Sequence, residues 1–273
     1  MSPIPTLGFK CALITGGGGG LGKAMAIDLI SRGKKVLLAG RSEANLKSTA
    51  SEIGAAGYYV VDTGDIPSLS AFIEKIISEH PDLDCLINNA GVQTPLEVLG
   101  PDYEFDLTKA DKEIDINIRG PIHLSVGLIK NHFSKNLKDQ GAVIMNVTSV
   151  LGFVPTSVVN PVYNGTKSFL HSFTTNLRTQ LDQVGSKIKV VEIVPPQVET
   201  DLHRTRKDPN DNKKSHPMGK NALTIEEFMD GVKEGWENDN DIIGPGMAKK
   251  AVDNWQNTFG KAYQDGVDAQ KKK

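Results

Sequence analysis

A tyrosine and a lysine four positions apart, Tyr163 and Lys167, form the pair best suited to acid–base chemistry in this sequence. Both lie near the start of a predicted helix, and a spacing of four places the two side chains on one helix face. A tyrosine hydroxyl has a reference pKa of about 10 and is a poor acid or base at neutral pH. A neighbouring ammonium group favours the phenolate and brings the hydroxyl into a working range.

Ser149 adds a hydroxyl to this pair, because it follows a predicted strand from Ala142 to Val147. That hydroxyl could donate a hydrogen bond to a substrate carbonyl beside the tyrosine. A tyrosine and a lysine at this spacing also occur by chance in many helices, and Tyr163 could instead be a half-buried packing residue. We favour the catalytic interpretation, because Ser149 and a glycine-rich turn each follow a predicted strand.

Five consecutive glycines, Gly16 to Gly20, follow a short apolar run and lead through Leu21 to Gly22, where a helical pattern begins. Such a turn leaves free backbone N–H groups at the positive end of the helix dipole, which suits a pyrophosphate. The run fits three spacings of dinucleotide-binding families at once: GxGxxG, GxxGxxG and, beginning at Thr15, TGxxxGxG. The glycines alone do not choose among them, and a flexible turn without a ligand is the remaining interpretation.

Length and composition predict one domain and exclude several kinds of partner. The chain has 273 residues, of which 38% are hydrophobic and 23% charged, enough for one large core. Its net charge of −2 provides no basic field for nucleic acid or an anionic membrane surface. Cys11 and Cys85 each lie in an apolar run, so we expect buried thiols, and the six scattered histidines predict no metal site.

The chain also lacks the sequence signals of export and of membrane insertion. Its first residues show no basic segment followed by an apolar stretch, and no run of about 18 apolar residues occurs. We therefore expect a soluble, cytoplasmic protein without a membrane partner.

Short apolar runs alternate with amphipathic segments along most of the chain, which is typical of βαβ units and a parallel sheet. The predicted strands run from Lys10 to Thr15, Lys35 to Ala39, Gly57 to Val61, Cys85 to Asn88, Ala142 to Val147 and Lys187 to Ile193. The predicted helices run from Leu21 to Ser31, Glu43 to Glu52, Ser68 to Glu79, Lys109 to Phe133 and Val162 to Val184. We predict a single α/β domain over residues 1–273.

The segment from Asp201 to Gly219 differs from the rest, because it is dense in charge, asparagine and proline. We expect a mobile excursion there. Two interpretations stay open: a solvated surface loop, or a lid over a pocket at the carboxyl ends of the strands. The second makes residues 201–240 a substrate-binding loop or lid region within the domain.

Several motifs together resemble the short-chain dehydrogenases/reductases, in their single-domain branch. They are TGGGGGLG from Thr15 to Gly22, Asp62 after the third strand, NNAG from Asn88 to Gly91, Asn117, Ser149, YNGTK from Tyr163 to Lys167, and VPPQVET ending at Thr200. This set selects the TGxxxGxG spacing, in which Gly16, Gly20 and Gly22 carry the cofactor roles. The resemblance implies a Rossmann-like, doubly wound parallel sheet in three α/β/α layers.

The resemblance also implies a catalytic role for four residues. Tyr163 would protonate a carbonyl oxygen while hydride moves from the nicotinamide to carbon, or would run the reverse step. Lys167 would lower the pKa of Tyr163 and hydrogen-bond the nicotinamide ribose, and Ser149 would hold and polarise the carbonyl. Asn117 would hold a water that links the lysine to solvent; otherwise it is a polar residue inside a helix, bonded to backbone.

The dinucleotide contacts follow from the same resemblance. Asp62 would contact the adenine amino group, with Thr63 beside it. Carboxamide contacts would rely on the Val198 backbone and Thr200, because a second proline follows Pro195 where the family usually has glycine. The complete predicted cofactor-binding set is Thr15, Gly16, Gly18, Gly20, Leu21, Gly22, Arg41, Ser42, Asp62, Thr63, Asn89, Ala90, Gly91, Tyr163, Lys167, Pro195, Val198 and Thr200.

The end of the second predicted strand indicates which dinucleotide binds. Folds that use NAD place an acidic residue there to accept the ribose hydroxyls, whereas a nearby arginine accommodates a 2′-phosphate. Here the strand ends in Gly40, Arg41 and Ser42, which offer a guanidinium and a hydroxyl but no carboxylate. We predict NADP(H) in preference to NAD(H), although Arg41 could instead stack on the adenine or face solvent.

The sequence therefore predicts an NADPH-dependent carbonyl reductase or alcohol dehydrogenase with a small-molecule substrate. Val150, Leu151, Phe153, Val154 and Val159 favour a hydrophobic carbonyl compound, and they could equally be core. The main alternative is a regulatory protein that binds NADP without turnover, against which the intact Ser149, Tyr163 and Lys167 argue. An epimerase or dehydratase of the longer branch would need a larger C-terminal substrate domain than this chain has.

The family's common last strand, through which its tetramers often assemble, is absent from this sequence. Only Ile242, Ile243 and Gly244 offer a short substitute. We therefore predict a homodimer formed through the two long predicted helices rather than a tetramer.

Overall fold

A computed structural model describes residues 2–98, 106–203 and 206–271 of the chain. Its strands are β1 Cys11–Thr15, β2 Lys35–Gly40, β3 Gly57–Val60, β4 Leu83–Asn88, β5 Ala142–Val147, β6 Ile188–Ile193 and β7 Ile242–Ile243. They form one parallel sheet in the order β3-β2-β1-β4-β5-β6-β7. The chain reverses its direction of travel across the sheet between β1 and β4, so the prediction of a doubly wound sheet is confirmed.

The helices are α1 Gly20–Ser31, α2 Glu43–Ile53, α3 Leu69–Glu79, α4 Leu107–Ile114, α5 Gly120–Leu128, α6 Pro161–Gln183, α7 Ile225–Glu237, α8 Ala248–Trp255 and α9 Lys261–Lys271. The core divides between the two faces of the sheet. Met25 of α1, Leu46 of α2 and Trp236 of α7 pack on one face. Leu69 of α3, Leu128 of α5 and Leu177 of α6 pack on the other. The arrangement is the predicted three-layer α/β/α domain.

The prediction of one regular helix from Lys109 to Phe133 is wrong in detail. A wide π-helical turn over Asp115–Arg119 joins α4 to α5, and a second such turn over Ile129–Phe133 ends the helical stretch. Pro121 explains the first turn, because proline lacks the N–H that a regular α-helix would direct at the carbonyl of residue 117. Such turns are frequent at functional sites, and this one contains Asn117.

The two cysteines are buried free thiols, as predicted. Cys11 packs on one face of the sheet and Cys85 on the other, so the sheet itself separates them. Within the described ranges, no helix is both long and apolar enough to cross a membrane. The same residues contain no group of three or more His, Cys, Asp or Glu side chains that could hold a metal ion.

The sheet ends in the short substitute strand that the sequence offers. Ile242 and Ile243 of β7 pair in parallel with Glu192 and Ile193 of β6. In the described part of the excursion from Asp201 to Gly219, the helical structure consists of two short 3₁₀ turns, Asp201–His203 and Pro217–Gly219. Arg204 and Thr205 of this segment, and Lys272 and Lys273, lie outside the described residues.

Candidate active site

Four of the six glycines after β1 hold positions where a side chain would be strained or crowded. A Cβ on Gly17 would lie 2.9 Å from the Leu38 side chain and 3.1 Å from the Ile14 carbonyl oxygen. Gly16 and Gly20 have φ angles of +66° and +52°, in the left-handed region that glycine tolerates best. A Cβ atom on Gly22 would collide with the Gly16 carbonyl oxygen and lie 2.6 Å from the Asn89 side-chain nitrogen. Nothing lies within 4 Å of a Cβ on Gly19. The backbone therefore has the glycine requirements of the TGxxxGxG spacing.

Thr15 ties this glycine turn to the NNAG motif after β4. Its hydroxyl accepts hydrogen bonds from the backbone N–H groups of Asn89 and Ala90, each at 3.0 Å. The Asn89 side chain donates back to the Thr15 carbonyl at 2.9 Å. Because β1 and β4 flank the point where the strand order reverses, these contacts shape the crevice in which ligands of such sheets bind.

A cavity of about 1190 Å³ opens at the carboxyl ends of the strands. Three predicted site residues, Thr15, Gly22 and Asn117, are not part of its wall and support the wall from behind. The predicted residues that line it are Gly16, Gly18, Gly20, Leu21, Arg41, Ser42, Asp62, Thr63, Asn89, Ala90, Gly91, Ser149, Tyr163, Lys167, Pro195, Val198 and Thr200.

The serine, tyrosine and lysine meet at the inner wall of this cavity. The Ser149 side chain lies close enough to Tyr163 to lower the pKa of its hydroxyl, and the Ser149 hydroxyl accepts a hydrogen bond from the Leu151 N–H at 3.2 Å. The Lys167 amine donates to the Val147 carbonyl at 2.8 Å and lies 5.6 Å from the centre of the Tyr163 ring. β5 therefore supplies both the serine that follows it and a carbonyl that holds the lysine beside the tyrosine.

Burial dominates the ionisation of this pair. Burial raises the pKa of Tyr163 well above its usual range, while the Ser149 side chain and the positive charge of Arg206 act in the opposite direction. Burial lowers the pKa of Lys167 to about 8, and the nearby Glu113 carboxylate opposes that change. Desolvation is an effect that the spacing of Tyr163 and Lys167 in the sequence could not reveal.

Asn117 lies in the π-helical turn between α4 and α5, fully buried. Its side-chain oxygen accepts from the Val92 N–H at 3.0 Å, and its amide nitrogen donates to the Val92 carbonyl at 2.9 Å. The same nitrogen donates to the Thr166 hydroxyl at 3.1 Å. The side chain thus fixes the segment after NNAG to α6.

The excursion after β6 contributes residues that the sequence analysis did not single out. His203, Arg206 and Met218 line the cavity. The Arg206 guanidinium bridges Asp211, at 2.6 Å, and the Gln93 side chain, at 2.8 Å. The density of polar residues in the excursion was the one sequence feature that could have indicated a role for Arg206. Its partner Gln93 lies 113 positions away, and no sequence pattern connects the two residues.

The expected apolar lining is only partly present. Val150 and Leu151 line the cavity beside the polar side chains of Gln93, Thr156, Ser157, Gln197 and His203. Phe153 is absent from this wall and instead stacks on His171, with ring centres 4.3 Å apart. Val154 and Val159 are not part of the lining either. The wall is therefore mixed in character, because the aromatic ring turns toward α6 and α8.

A family model described as short chain dehydrogenase matches residues 10–211 of this chain. The chain belongs to the short-chain dehydrogenase family. An uncharacterized oxidoreductase DltE from Bacillus subtilis is 35% identical over 227 residues, which cover 82% of this chain and 84% of that protein. An uncharacterized oxidoreductase from Staphylococcus aureus is 31% identical over 212 residues, 77% of this chain and 86% of its own. The predicted family is therefore confirmed.

Solved structures resemble this short-chain dehydrogenase over most of its length. A short-chain dehydrogenase from Sphingobium yanoikuyae in complex with NADPH has a TM-score of 0.77 at 22% identity, covering 94% of this chain and 96% of its own. A 3-ketoacyl-(acyl-carrier-protein) reductase from Brucella melitensis, complexed with NADH, has a TM-score of 0.70 at 30% identity, covering 86% and 96%. This dehydrogenase is an oxidoreductase with a Rossmann-like, nucleotide-binding fold.

A buried polar network begins at Thr148, the residue that precedes Ser149. The Thr148 hydroxyl donates to Glu192 of β6 at 2.7 Å, and His171 of α6 contacts the same carboxylate at 2.9 Å. Glu192 is fully buried, and the His171 ring packs edge-on against Trp255 of α8. This network joins the end of β5 to β6 and to the C-terminal helices.

Replacing Glu192 by alanine should lower the free energy of unfolding by about 3 kcal/mol, because it leaves Thr148 and His171 buried without their acceptor. Urea denaturation measures the change. Glu52→Ala is the matched control, since Glu52 forms only an exposed ion pair with Lys23 and should cost less than about 1 kcal/mol. Equal losses in the two variants would contradict a stabilising role for the network.

Proposed function

We propose that this dehydrogenase is an NADPH-dependent carbonyl reductase, or the corresponding alcohol dehydrogenase in reverse, acting on a small ketone or aldehyde. The single observation that carries the proposal is that Ser149, Tyr163 and Lys167 share one cavity with the glycine turn. A group bound at the turn and a substrate at the tyrosine would therefore be neighbours. The mixed wall of the cavity accepts a carbonyl compound with both apolar and polar parts.

The residues at the turn fit a dinucleotide. The turn presents Gly18 and Gly19 at the cavity, where no side chain blocks an approaching phosphate. It also leads into α1, whose positive dipole end favours a pyrophosphate. A bound nicotinamide cofactor would supply the hydride.

The protein's own groups would manage the substrate and its proton. Tyr163 would donate its hydroxyl proton to the carbonyl oxygen during reduction and receive it during oxidation. Ser149, which lines the same cavity as Tyr163, would donate to the same oxygen and hold it in place. Lys167, anchored by the Val147 carbonyl, would hold positive charge beside the tyrosine and stabilise the phenolate once the proton has left.

A screen of ketones and aldehydes with NADPH, followed by its absorbance, tests the activity. We expect consumption of NADPH that depends on the carbonyl compound. Tight binding of NADPH with no turnover on any member of a broad panel, in either direction, would instead favour a regulatory protein that binds the dinucleotide.

Arg41→Ala should raise the KM for NADPH at least about tenfold and leave the KM for NADH nearly unchanged, because only NADPH carries the 2′-phosphate. Arg41 is exposed at the cavity rim, and Ser42 beside it caps α2 by accepting from the Asn45 N–H at 3.3 Å. Steady-state kinetics with both cofactors measure the effect. Lys47→Ala, which removes an exposed charge from α2, is the control. A preference for NADH that survives the Arg41 change would refute the NADP assignment.

The homodimer also belongs to this proposal. Val126 of α5 and Phe169 of α6 are 46% and 44% exposed, unusual for large apolar side chains on helices that otherwise pack in the core. A second copy that covered both would pair the long helices. Light scattering coupled to size exclusion should give twice the chain mass for the wild type and a single chain mass for the Val126→Lys/Phe169→Lys double variant.

A cytoplasmic location is the remaining part of the proposal. Its support is the pair of buried free thiols on opposite faces of the sheet, which a reducing compartment suits. Fractionation of cells that express the tagged protein, with markers for cytoplasm and membranes, tests it.

A further inference from the structure

Glu113, in the last turn of α4, is a buried carboxyl group to which the proposed chemistry gives no role. The residue is 0% exposed. One carboxyl oxygen accepts a hydrogen bond from the Thr94 backbone N–H at 2.9 Å. The other oxygen is buried and has no hydrogen-bond partner among the residues that the structure describes. An unsatisfied buried carboxyl group destabilises a fold, which suggests that Glu113 has a function at this position.

Glu113 lies one helical turn before Asn117, and the two side chains hold the same short segment. Asn117 bonds both backbone groups of Val92, while Glu113 bonds the N–H of Thr94. This segment continues the NNAG motif, whose last residue, Gly91, lies beside the lysine: a Cβ on Gly91 would be 3.6 Å from the Lys167 amine. Glu113 is therefore bonded to the stretch of cavity wall that begins next to the lysine.

The charge of Glu113 acts on both members of the acid–base pair. When ionised, it raises the pKa of Lys167 and also raises the pKa of Tyr163. Its own pKa is raised to about 7, chiefly by burial, with the hydrogen bond from the Thr94 N–H and the charge of Lys167 opposing the rise. Glu113 therefore changes its charge near neutral pH, and that charge acts on Tyr163 and Lys167, the two groups proposed to move and stabilise the proton.

We propose that Glu113 is a positioning residue that favours the ammonium form of Lys167 and the phenol form of Tyr163 while it holds the segment Val92–Thr94 in place. As a carboxylate, at neutral pH and above, it extends the range in which Lys167 stays an ammonium group and adds to the burial that keeps Tyr163 a phenol, the state ready to protonate a carbonyl. Below about pH 7 the neutral acid no longer has this effect, and both groups stay protonated without it. The consequence for catalysis rests on the proposed function, whereas the effect on the charge of Lys167 does not.

The other charged groups around this pair come from separate elements. Lys167 and Tyr163 face Glu113 from α6, Thr94 faces it from the segment after β4, and Asn117 is its uncharged neighbour on the next turn. Arg206, in the excursion after β6, acts on Tyr163 with the opposite sign to Glu113. Removing the negative charge of Glu113 should therefore lower the pKa of both catalytic groups, since Arg206 remains in place.

The decisive measurement follows the Lys167 side chain by NMR of protein labelled with ¹³C-lysine, with Lys167→Arg identifying its signal. In Glu113→Gln, which keeps an oxygen for the Thr94 N–H but removes the charge, the Lys167 titration midpoint should fall by about one pH unit. Asp115→Asn makes the same charge change on the adjoining turn, where Asp115 forms a partly exposed ion pair with Arg119, and should leave the midpoint in place.

Two further observations keep the test decisive if Glu113→Gln does not fold. In the wild type, the Lys167 signal should show a second inflection near pH 7 from the ionisation of Glu113. That inflection should survive in Asp115→Asn. A Lys167 titration with one inflection in the wild type, or the same midpoint in wild type and Glu113→Gln, would overturn the proposal.

Activity forms a separate arm of the experiment. If the protein reduces carbonyl compounds, the pH at which kcat falls should move to lower pH in Glu113→Gln, with little change in KM. A loss of kcat at every pH with an unmoved profile would show a purely structural residue. Should no substrate turn over, the proposed function fails, yet the NMR titration still decides the role of Glu113.

Discussion

Replacing Tyr163 by phenylalanine should lower kcat by about 100- to 10,000-fold, while NADPH binds with nearly unchanged affinity. The substitution removes one hydroxyl from a side chain that is only 5% exposed and leaves its ring in place. It thereby deletes the proton donor but no atom of the glycine turn. Stopped-flow absorbance measures turnover, and quenching of protein fluorescence measures cofactor affinity.

Tyr263→Phe is the matched control for this experiment. Its hydroxyl donates to Thr179 at 2.8 Å, where α9 packs on α6 away from the cavity lining. We expect this variant to keep the wild-type kcat. If Tyr163→Phe and the wild type consumed NADPH at the same rate with a carbonyl substrate, the acid–base role given to Tyr163 would be wrong.

Gly22→Ala should lower both stability and cofactor affinity. The added Cβ would meet the Gly16 carbonyl oxygen and the Asn89 amide, which are held by the Thr15 contacts and cannot both move aside freely. We expect the free energy of unfolding to fall by about 1–3 kcal/mol, and the Kd for NADPH to rise at least about tenfold because the turn loses its shape. Urea denaturation and fluorescence titration give the two quantities.

Gly19→Ala provides the comparison within the same run of glycines. No atom lies within 4 Å of a Cβ there, and the backbone is extended, with φ of 178°. We expect its stability to remain within about 0.5 kcal/mol of the wild type. Equal destabilisation by the two substitutions would mean that the TGxxxGxG spacing does not describe this turn.

Much of the fold could be predicted because the strands and helices of a parallel-sheet protein each have a recognisable local sequence pattern. A strand such as β5 is a continuous apolar run, and α6 begins at a proline and continues with helical periodicity. The division of the helical stretch from Lys109 to Phe133 was not predicted, since periodicity does not register a single widened turn. Strand β7 has only two residues, too few for a pattern, and exists because β6 offers a free edge.

The candidate site divides in the same way. Motif spacing predicted Gly16, Ser149 and Tyr163 at one site, and all three line the cavity. Gly16 follows β1, Ser149 follows β5, and Tyr163 lies in the first turn of α6, the helix after β5. The sequence left open whether Phe153 lines the pocket or belongs to the core, because whether its ring turns toward the cavity or toward His171 depends on packing by α8. Glu113 and Arg206 belong to none of the motifs found in the sequence, so the sequence did not predict that they lie near the site.

By itself, the sequence determined the family, the order of the elements and the identity of the groups able to do chemistry at the strand ends. Those properties depend on residue type and on short spacings, which the chain displays directly. Only the tertiary structure decided that Tyr163 and Lys167 are desolvated, that Arg206 reaches Gln93 and that Glu113 lies buried beside the pair. The physical reason is that burial and through-space charge depend on residues far apart in the chain, whose distances are set only when the layers pack.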